Sequence, residues 1–112
     1  MSNFPEDDWK HFKKIQAAAL DRLCARRLKE LQQHCTATAG TNFERFEAAL
    51  STAKEGSYDY KRAFTDLRRS TAFLKLIQMV ALDLLTAEEL NGFSAQTRAK
   101  VAEVHVGTPN IG

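Results

Sequence analysis

The sequence predicts an all-α fold: a small bundle of about four helices, two long and two short, forming a single domain over residues 1–112. Apolar residues recur three and four positions apart along most of the chain, the spacing of one face of an α-helix. The two prolines, Pro5 and Pro109, lie near the ends, and none of the five glycines falls inside a periodic segment. A chain this short buries only part of its unfolded surface, so we expect modest stability unless copies associate.

The first helix is predicted from about Asp8 to about Cys35, after a short lead-in at residues 1–6. Three acidic residues follow Pro5, and acidic side chains in a first turn meet the positive end of the helix dipole. Arg27 projects from the middle of the apolar stripe of this helix. A polar group there needs a partner, so we expect Arg27 to pair with a carboxylate or to reach the rim by its aliphatic stem.

A loop is predicted over residues 36–40, after which Thr41 begins a second helix. Glu44 stands three residues further on, in the reciprocal arrangement of a capping box. The apolar side of this helix consists of Phe43, Phe46, Leu50 and Ala53. We expect Gly56 to end the helix, because a left-handed residue is favoured at that position.

The bundle is expected to be organised around a central helix at residues 57–85. Small and apolar residues alternate steps of four and three along it, at Ala63, Leu67, Ser70, Leu74, Ile77, Ala81 and Leu84. A second apolar edge is formed by Phe73, Leu76 and Val80. A helix that is apolar over most of its circumference must be covered by neighbours on more than one side.

Thr86 closes the central helix and, with Glu89, opens a second capping box. Ser94 is predicted to cap a last helix that runs to about Val104. Residues 105–112 show no periodicity, and we expect them to form a mobile tail. These caps form a corner that returns the last helix to the core.

No membrane span and no signal peptide are predicted, and we expect a cytoplasmic protein. The apolar run at residues 72–85 is shorter than the roughly 20 residues of a span and contains three polar or charged side chains. The N-terminus carries acids and has no apolar segment. Cys24 and Cys35 would stand roughly 16 Å apart in one helix, too far for a disulfide. We expect two reduced, half-buried thiols of a cytosolic protein, with a disulfide between two chains as the alternative.

No arrangement of catalytic residues is apparent. The chain has no glycine-rich phosphate loop, no nucleophile elbow and no helical zinc pair. His11, His34 and His105 lie far apart and share no ligand spacing. We therefore expect that the protein is not an enzyme and has no cofactor and no metal site.

Basic residues form two rows, which are Arg22, Arg26 and Lys29 on the first helix and Lys61, Arg68 and Lys75 on the central helix. Such rows can bind nucleic-acid phosphates without sequence specificity. They can equally be solvated faces or meet acidic residues of another helix. The net charge of only +2 and the pI of about 8.6 favour the second interpretation.

The patterns favour a protein–protein interaction or adaptor module that associates with itself as a homodimer, with an unidentified protein partner as the other candidate. The reason is surplus apolar surface on the two long helices, which two short helices cover only in part. The candidate interface residues are Trp9, Phe12, Arg27, Phe73, Leu76 and Val80. The alternative function is non-specific nucleic-acid binding through the six basic residues.

Overall fold

The computed structural model describes the backbone of residues 4–107 and the side chains of residues 4–104. Within this range the chain forms five helices and no strand, namely α1 (Glu6–Thr36), α2 (Asn42–Phe64), α3 (Ala72–Ala81), α4 (Ala87–Asn91) and α5 (Ala95–Gly107). The predicted all-α class is confirmed. Residues 105–107 of the predicted tail continue α5, and residues 108–112 lie outside the described residues.

The molecule has two parts, a packed head and a projecting arm. The head contains residues 4–23 and 61–107, which include the end of α2 and the helices α3, α4 and α5, whereas the arm is the α1–α2 hairpin over residues 24–60. The principal extents are 51 × 28 × 26 Å. The radius of gyration is 16.6 Å, compared with about 13 Å for a compact chain of this length. Thr52 is the only buried residue of the arm, so the hydrophobic core belongs to the head.

The core is formed by residues from both ends of the chain. Its buried apolar side chains are Phe4, Phe12, Ile15, Ala19, Leu23, Ala63, Phe64, Ala72, Leu76, Met79, Leu84, Phe93 and Val101. The ring of Phe4 lies edge-on to Phe12, with centroids 6.2 Å apart, although the sequence predicts only a lead-in at residues 1–6. The N-terminal segment therefore contributes to the core before α1 begins.

The prediction of one continuous central helix at residues 57–85 is wrong. Residues 57–64 are the end of α2, residues 65–71 form a turn, and only residues 72–81 form α3. Leu74, placed by the prediction on the buried stripe, is 55% exposed, and Ser70 is exposed in the turn. The dimer predicted from this helix loses its original basis, because other parts of the head cover much of the apolar surface of α3.

The break has a local polar cause. Asp66 adopts a positive φ of 56°, a conformation that an Asp tolerates better than most residues and that ends a helix. The Thr71 hydroxyl accepts a hydrogen bond from the Arg68 amide (3.0 Å) and donates one to the Asp66 carbonyl (2.6 Å). The Lys75 ammonium group then donates to the Arg62 carbonyl at the end of α2 (2.7 Å). Short polar side chains thus compete with the helix for the backbone of this segment.

Buried polar contacts fasten the last helix to the first. The Asp8 carboxylate is 2% exposed and accepts hydrogen bonds from the Ser94 amide (2.7 Å), the Ser94 hydroxyl (2.8 Å) and the Thr97 hydroxyl (2.6 Å). Ser94 also accepts from the Thr97 amide at 3.2 Å, as its predicted capping role requires. Burial by itself raises the pKa of Asp8. The hydrogen bonds from Thr97 and Ser94 outweigh it, so that the pKa lies below its ordinary value of 3.8.

We predict that Leu76→Ala lowers the free energy of unfolding by about 2–5 kcal/mol, because Leu76 is fully buried against the head. Leu74→Ala, the same change two residues earlier in α3, is the matched control and changes it by no more than about 0.5 kcal/mol. Denaturant titration measures both values. Equal losses would show that both leucines face the core and would contradict the structure of α3.

We predict that Asp8→Asn lowers the free energy of unfolding by about 1–3 kcal/mol at neutral pH, because the charged acceptor of Ser94 and Thr97 is lost. The folded-state pKa of Asp8 lies below 3.8, so its contribution is complete above that value and disappears as the pH falls through the folded-state pKa. The difference between wild type and Asp8→Asn, measured by denaturant titration, should therefore shrink on acidification. The exposed neighbour Asp7 provides the control variant Asp7→Asn, and a difference independent of pH would contradict this role.

Candidate protein-interaction surface

The α2 helix faces α1 with small and polar residues. We call this row the inner stripe, and its members are Arg45, Ala49, Thr52, Gly56, Asp59 and Ala63, spaced three and four residues apart. The predicted helix end at Gly56 is wrong, because α2 continues through it to Phe64. A Cβ atom at Gly56 would lie 3.1 Å from Cγ of Arg27, so the glycine leaves room for that side chain to cross the interface.

Arg27 and His34 hold the arm together through polar partners on α2. The guanidinium group of Arg27 donates to Asp59 at 2.8 Å and to Glu30 at 2.9 Å. The hydrogen bond to Asp59 is the main cause of the raised pKa of Arg27, and the predicted pairing with a carboxylate is confirmed. Nε2 of His34 lies 3.0 Å from the Thr52 hydroxyl. The orientation of α2 is thereby fixed by polar contacts.

The large apolar residues of α2 point away from this interface. We call their row the outer stripe, and its members are Phe43, Phe46, Leu50, Ala53 and Tyr60. Helical spacing places it about 110° around α2 from the inner stripe. The exposed fractions are 69% for Phe43, 65% for Phe46, 42% for Leu50 and 43% for Tyr60. The apolar side predicted for the second helix therefore exists as a periodic row, but it is exposed to solvent.

A matching row on α1 extends this apolar surface. Cys24, Leu28, Leu31 and Cys35 follow one another at steps of four, three and four residues, and Leu28 is 65% exposed. An open groove of about 400 Å³ between the helices is lined by Leu28 and Leu31 from α1 and by Ala53 and Tyr60 from α2. Both cysteines are free thiols and are exposed instead of half-buried as predicted. We call the outer stripe and this α1 row together the arm face.

The predicted interface residues lie in different parts of the structure, either in the core of the head or in the groove of the arm face. Phe12 and Leu76 are fully buried in the head, so they are not accessible to a partner. Trp9, Phe73 and Val80 pack partly buried against the core. Arg27 lines the groove of the arm face while it binds Asp59. Sequence reasoning named the apolar side of the second helix but not the arm face, because helical spacing does not show whether an apolar side is covered.

Most of the predicted phosphate-binding residues have partners within the chain. Arg22 donates two hydrogen bonds to the Glu89 carboxylate at 2.6 and 2.9 Å. Arg26 donates to the Leu82 and Asp83 carbonyls beyond the end of α3, at 2.7 and 2.9 Å. Arg68 binds the Asp66 carboxylate at 2.7 and 2.9 Å, and Lys75 binds the end of α2. These partners compete with an external phosphate. Lys29 and Lys61 are exposed.

Other types of site find little support in the described part of the chain. Among residues 4–104, no three His, Cys, Asp or Glu side chains are grouped so as to hold a metal ion. None of the described helices combines the length and the apolar character needed to cross a membrane. Comparison with models of protein families, with curated proteins and with solved structures finds no match for the chain.

We predict that Arg27→Met lowers the free energy of unfolding by about 1–3 kcal/mol, because the Asp59 carboxylate, 14% exposed, loses its charged partner. Thermal or denaturant unfolding measures the loss, and Lys29→Met on the exposed side of α1 is the matched control. Asp59→Asn should restore part of the stability in the Arg27→Met background but not in wild type. Equal unfolding curves for Arg27→Met and Lys29→Met would show that this contact does not hold the arm.

Proposed function

We propose that the protein is a protein–protein interaction module that docks a partner on the arm face. The head supplies the core, and the arm carries the recognition surface away from it. This assignment keeps the interaction role inferred from the sequence but moves the surface from residues of the first and central helices to the arm face, where only Arg27 of the predicted set lies.

The exposure of Phe43 and Phe46 is the observation that carries this proposal. Both rings are about two-thirds exposed, and Leu50, Leu28 and Tyr60 continue the same face. Large exposed apolar patches on soluble proteins mark interaction sites, and aromatic residues dominate the energetics of such interfaces. The regular three-and-four spacing is that of a helix seam that packs against another helix.

The arm face is also stiff enough to act as a preformed surface. The inner stripe fixes α2 against α1 through Arg27 and His34, and the capping box of Thr41 and Glu44 secures the first turn of α2. A preformed surface loses little conformational entropy on binding. The arm face therefore suits recognition of another folded helical surface.

Site-specific photo-crosslinking in the native host tests this function. A photoreactive phenylalanine analogue in place of Phe46 should give discrete protein adducts. The same analogue at Gln33, which is exposed on the opposite side of α1 from Leu31, is the control and should give none. We expect Leu50→Glu to reduce the adducts formed at position 46. Absence of adducts at position 46, or equal adducts at both positions, would refute the arm face as a docking surface.

A further inference from the structure

We propose that the occupant of the arm face is a second copy of this chain, packed in an antiparallel two-fold arrangement with α2 against α2. This inference rests on the proposed function and identifies its partner. A dimer of this kind packs the two α2 helices against each other and covers the arm face, which neither hairpin can cover alone.

The exposed area agrees with the requirement of a stable dimer. Aromatic side chains cover about 150–250 Å² each, so at the exposed fractions of its large residues the arm face presents on the order of 500 Å² of apolar surface. A standard interface covers about 800 Å² on each partner, of which somewhat more than half is apolar. The apolar surface of the arm face therefore agrees with the apolar part of such an interface.

The charges of the arm permit contact between identical copies. Residues 24–60 contain five basic and five acidic residues, so the arm has no net charge. Two of the basic groups, Arg27 and Arg26, are already bound to a carboxylate and to backbone carbonyls. A second arm therefore approaches without long-range repulsion, whereas a strongly charged partner would gain little electrostatic attraction.

The relative length of the two helices selects the antiparallel arrangement. His34 contacts Thr52, and α1 ends two residues later at Thr36, so α1 ends level with about residue 50 of α2. Phe43 and Phe46 consequently extend roughly 6–10 Å past the end of α1. In a parallel two-fold dimer α2 would face α1 of the second copy, and these two rings would have no helix opposite them.

An antiparallel dimer gives both rings a partner. The outer stripe runs from Phe43 to Tyr60, so a two-fold axis at its midpoint passes between Leu50 and Ala53. Phe43 then lies over Tyr60 of the second copy, and Leu50 lies over Ala53 of the second copy. Phe43 thus meets an aromatic ring, Phe46 meets the small Ser57 and Leu50 meets the small Ala53, as close packing between helices requires.

Sedimentation of the purified chain tests self-association. Wild type should sediment at twice the chain mass of 12.6 kDa at micromolar concentration. Leu50→Glu should raise the dissociation constant at least about tenfold, since it buries a charge beside the axis. Leu74→Glu is the matched control, because Leu74 is an exposed leucine of the head. The Leu74→Glu variant should remain dimeric. If unfolding measurements show that Leu50→Glu damages the arm, Phe46→Glu at the more exposed position replaces it.

The native cysteines report the direction of packing. Cys35 follows His34 and lies near the level of the proposed axis, whereas Cys24 lies roughly 16 Å away along α1. In the antiparallel dimer the two Cys35 thiols approach each other, and the two Cys24 thiols stand roughly 33 Å apart along the direction of the helices. A short bis-maleimide should therefore link copies of Cys24→Ser but not copies of Cys35→Ser.

Other outcomes would contradict different parts of the proposal. Linking of both variants would show parallel packing. A dimer that is insensitive to Leu50→Glu and Phe46→Glu would show that another face is used. A monomeric wild type would exclude the second copy, while photo-adducts at position 46 with a different protein would still support the interaction function. Monomeric wild type without any such adduct would remove both proposals.

Discussion

The orientation of α2 depends on two polar side chains of α1 that need partners at the hairpin interface. Arg27 and His34 stand on the side of α1 that faces α2, and Asp59 and Thr52 are the groups that satisfy them. A half-buried guanidinium without a carboxylate costs more than an exposed apolar side chain. The hairpin therefore places its small and polar stripe inside. The row that begins with Phe43 stays outside as a consequence.

The head is stabilised in a different way from the arm. Apolar side chains fill its interior, and a small number of buried polar contacts set the positions of its short helices. Asp8 binds Ser94 and Thr97 at the start of α5, while Arg22 and His11 bind Glu89 and so fix α4 against α1. Gly92 belongs to the same contact, because a Cβ atom there would lie 2.2 Å from the His11 ring. A firm head of this kind lets the arm project without contributing to the core.

The contacts of α1 with the head also show why a row of basic residues on a helix does not by itself indicate a nucleic-acid surface. Arg22 and Arg26 stand one helical turn apart on α1, as the spacing predicts, and both reach across to the α3–α4 corner. Carbonyl groups at the end of a helix and a nearby carboxylate are favourable partners for a guanidinium. The same spacing therefore serves a structural role that the sequence could not separate from phosphate binding.

Local interactions within a few residues determined what the sequence alone could predict. Both capping boxes are present, Thr41 with Glu44 and Thr86 with Glu89, and α1 spans nearly the predicted range. These features depend on neighbours along the chain, so their signals are complete in the sequence. The turn at residues 65–71 also depends on contacts between near neighbours, but the apolar spacing that continues across it concealed this signal. The continuation of α2 through Gly56 was decided by the tertiary structure, because Arg27 of α1 packs against that glycine.

The side on which the outer stripe lies was also decided by the tertiary structure. A row of apolar residues at helical spacing shows that one side of a helix is apolar, but it does not show what covers that side. Contacts between residues far apart in the chain, Arg27 with Asp59 and His34 with Thr52, decide which side of α2 meets α1. The sequence by itself thus determined the first helix and the two capping boxes, whereas long-range polar pairing determined which surface the molecule leaves open.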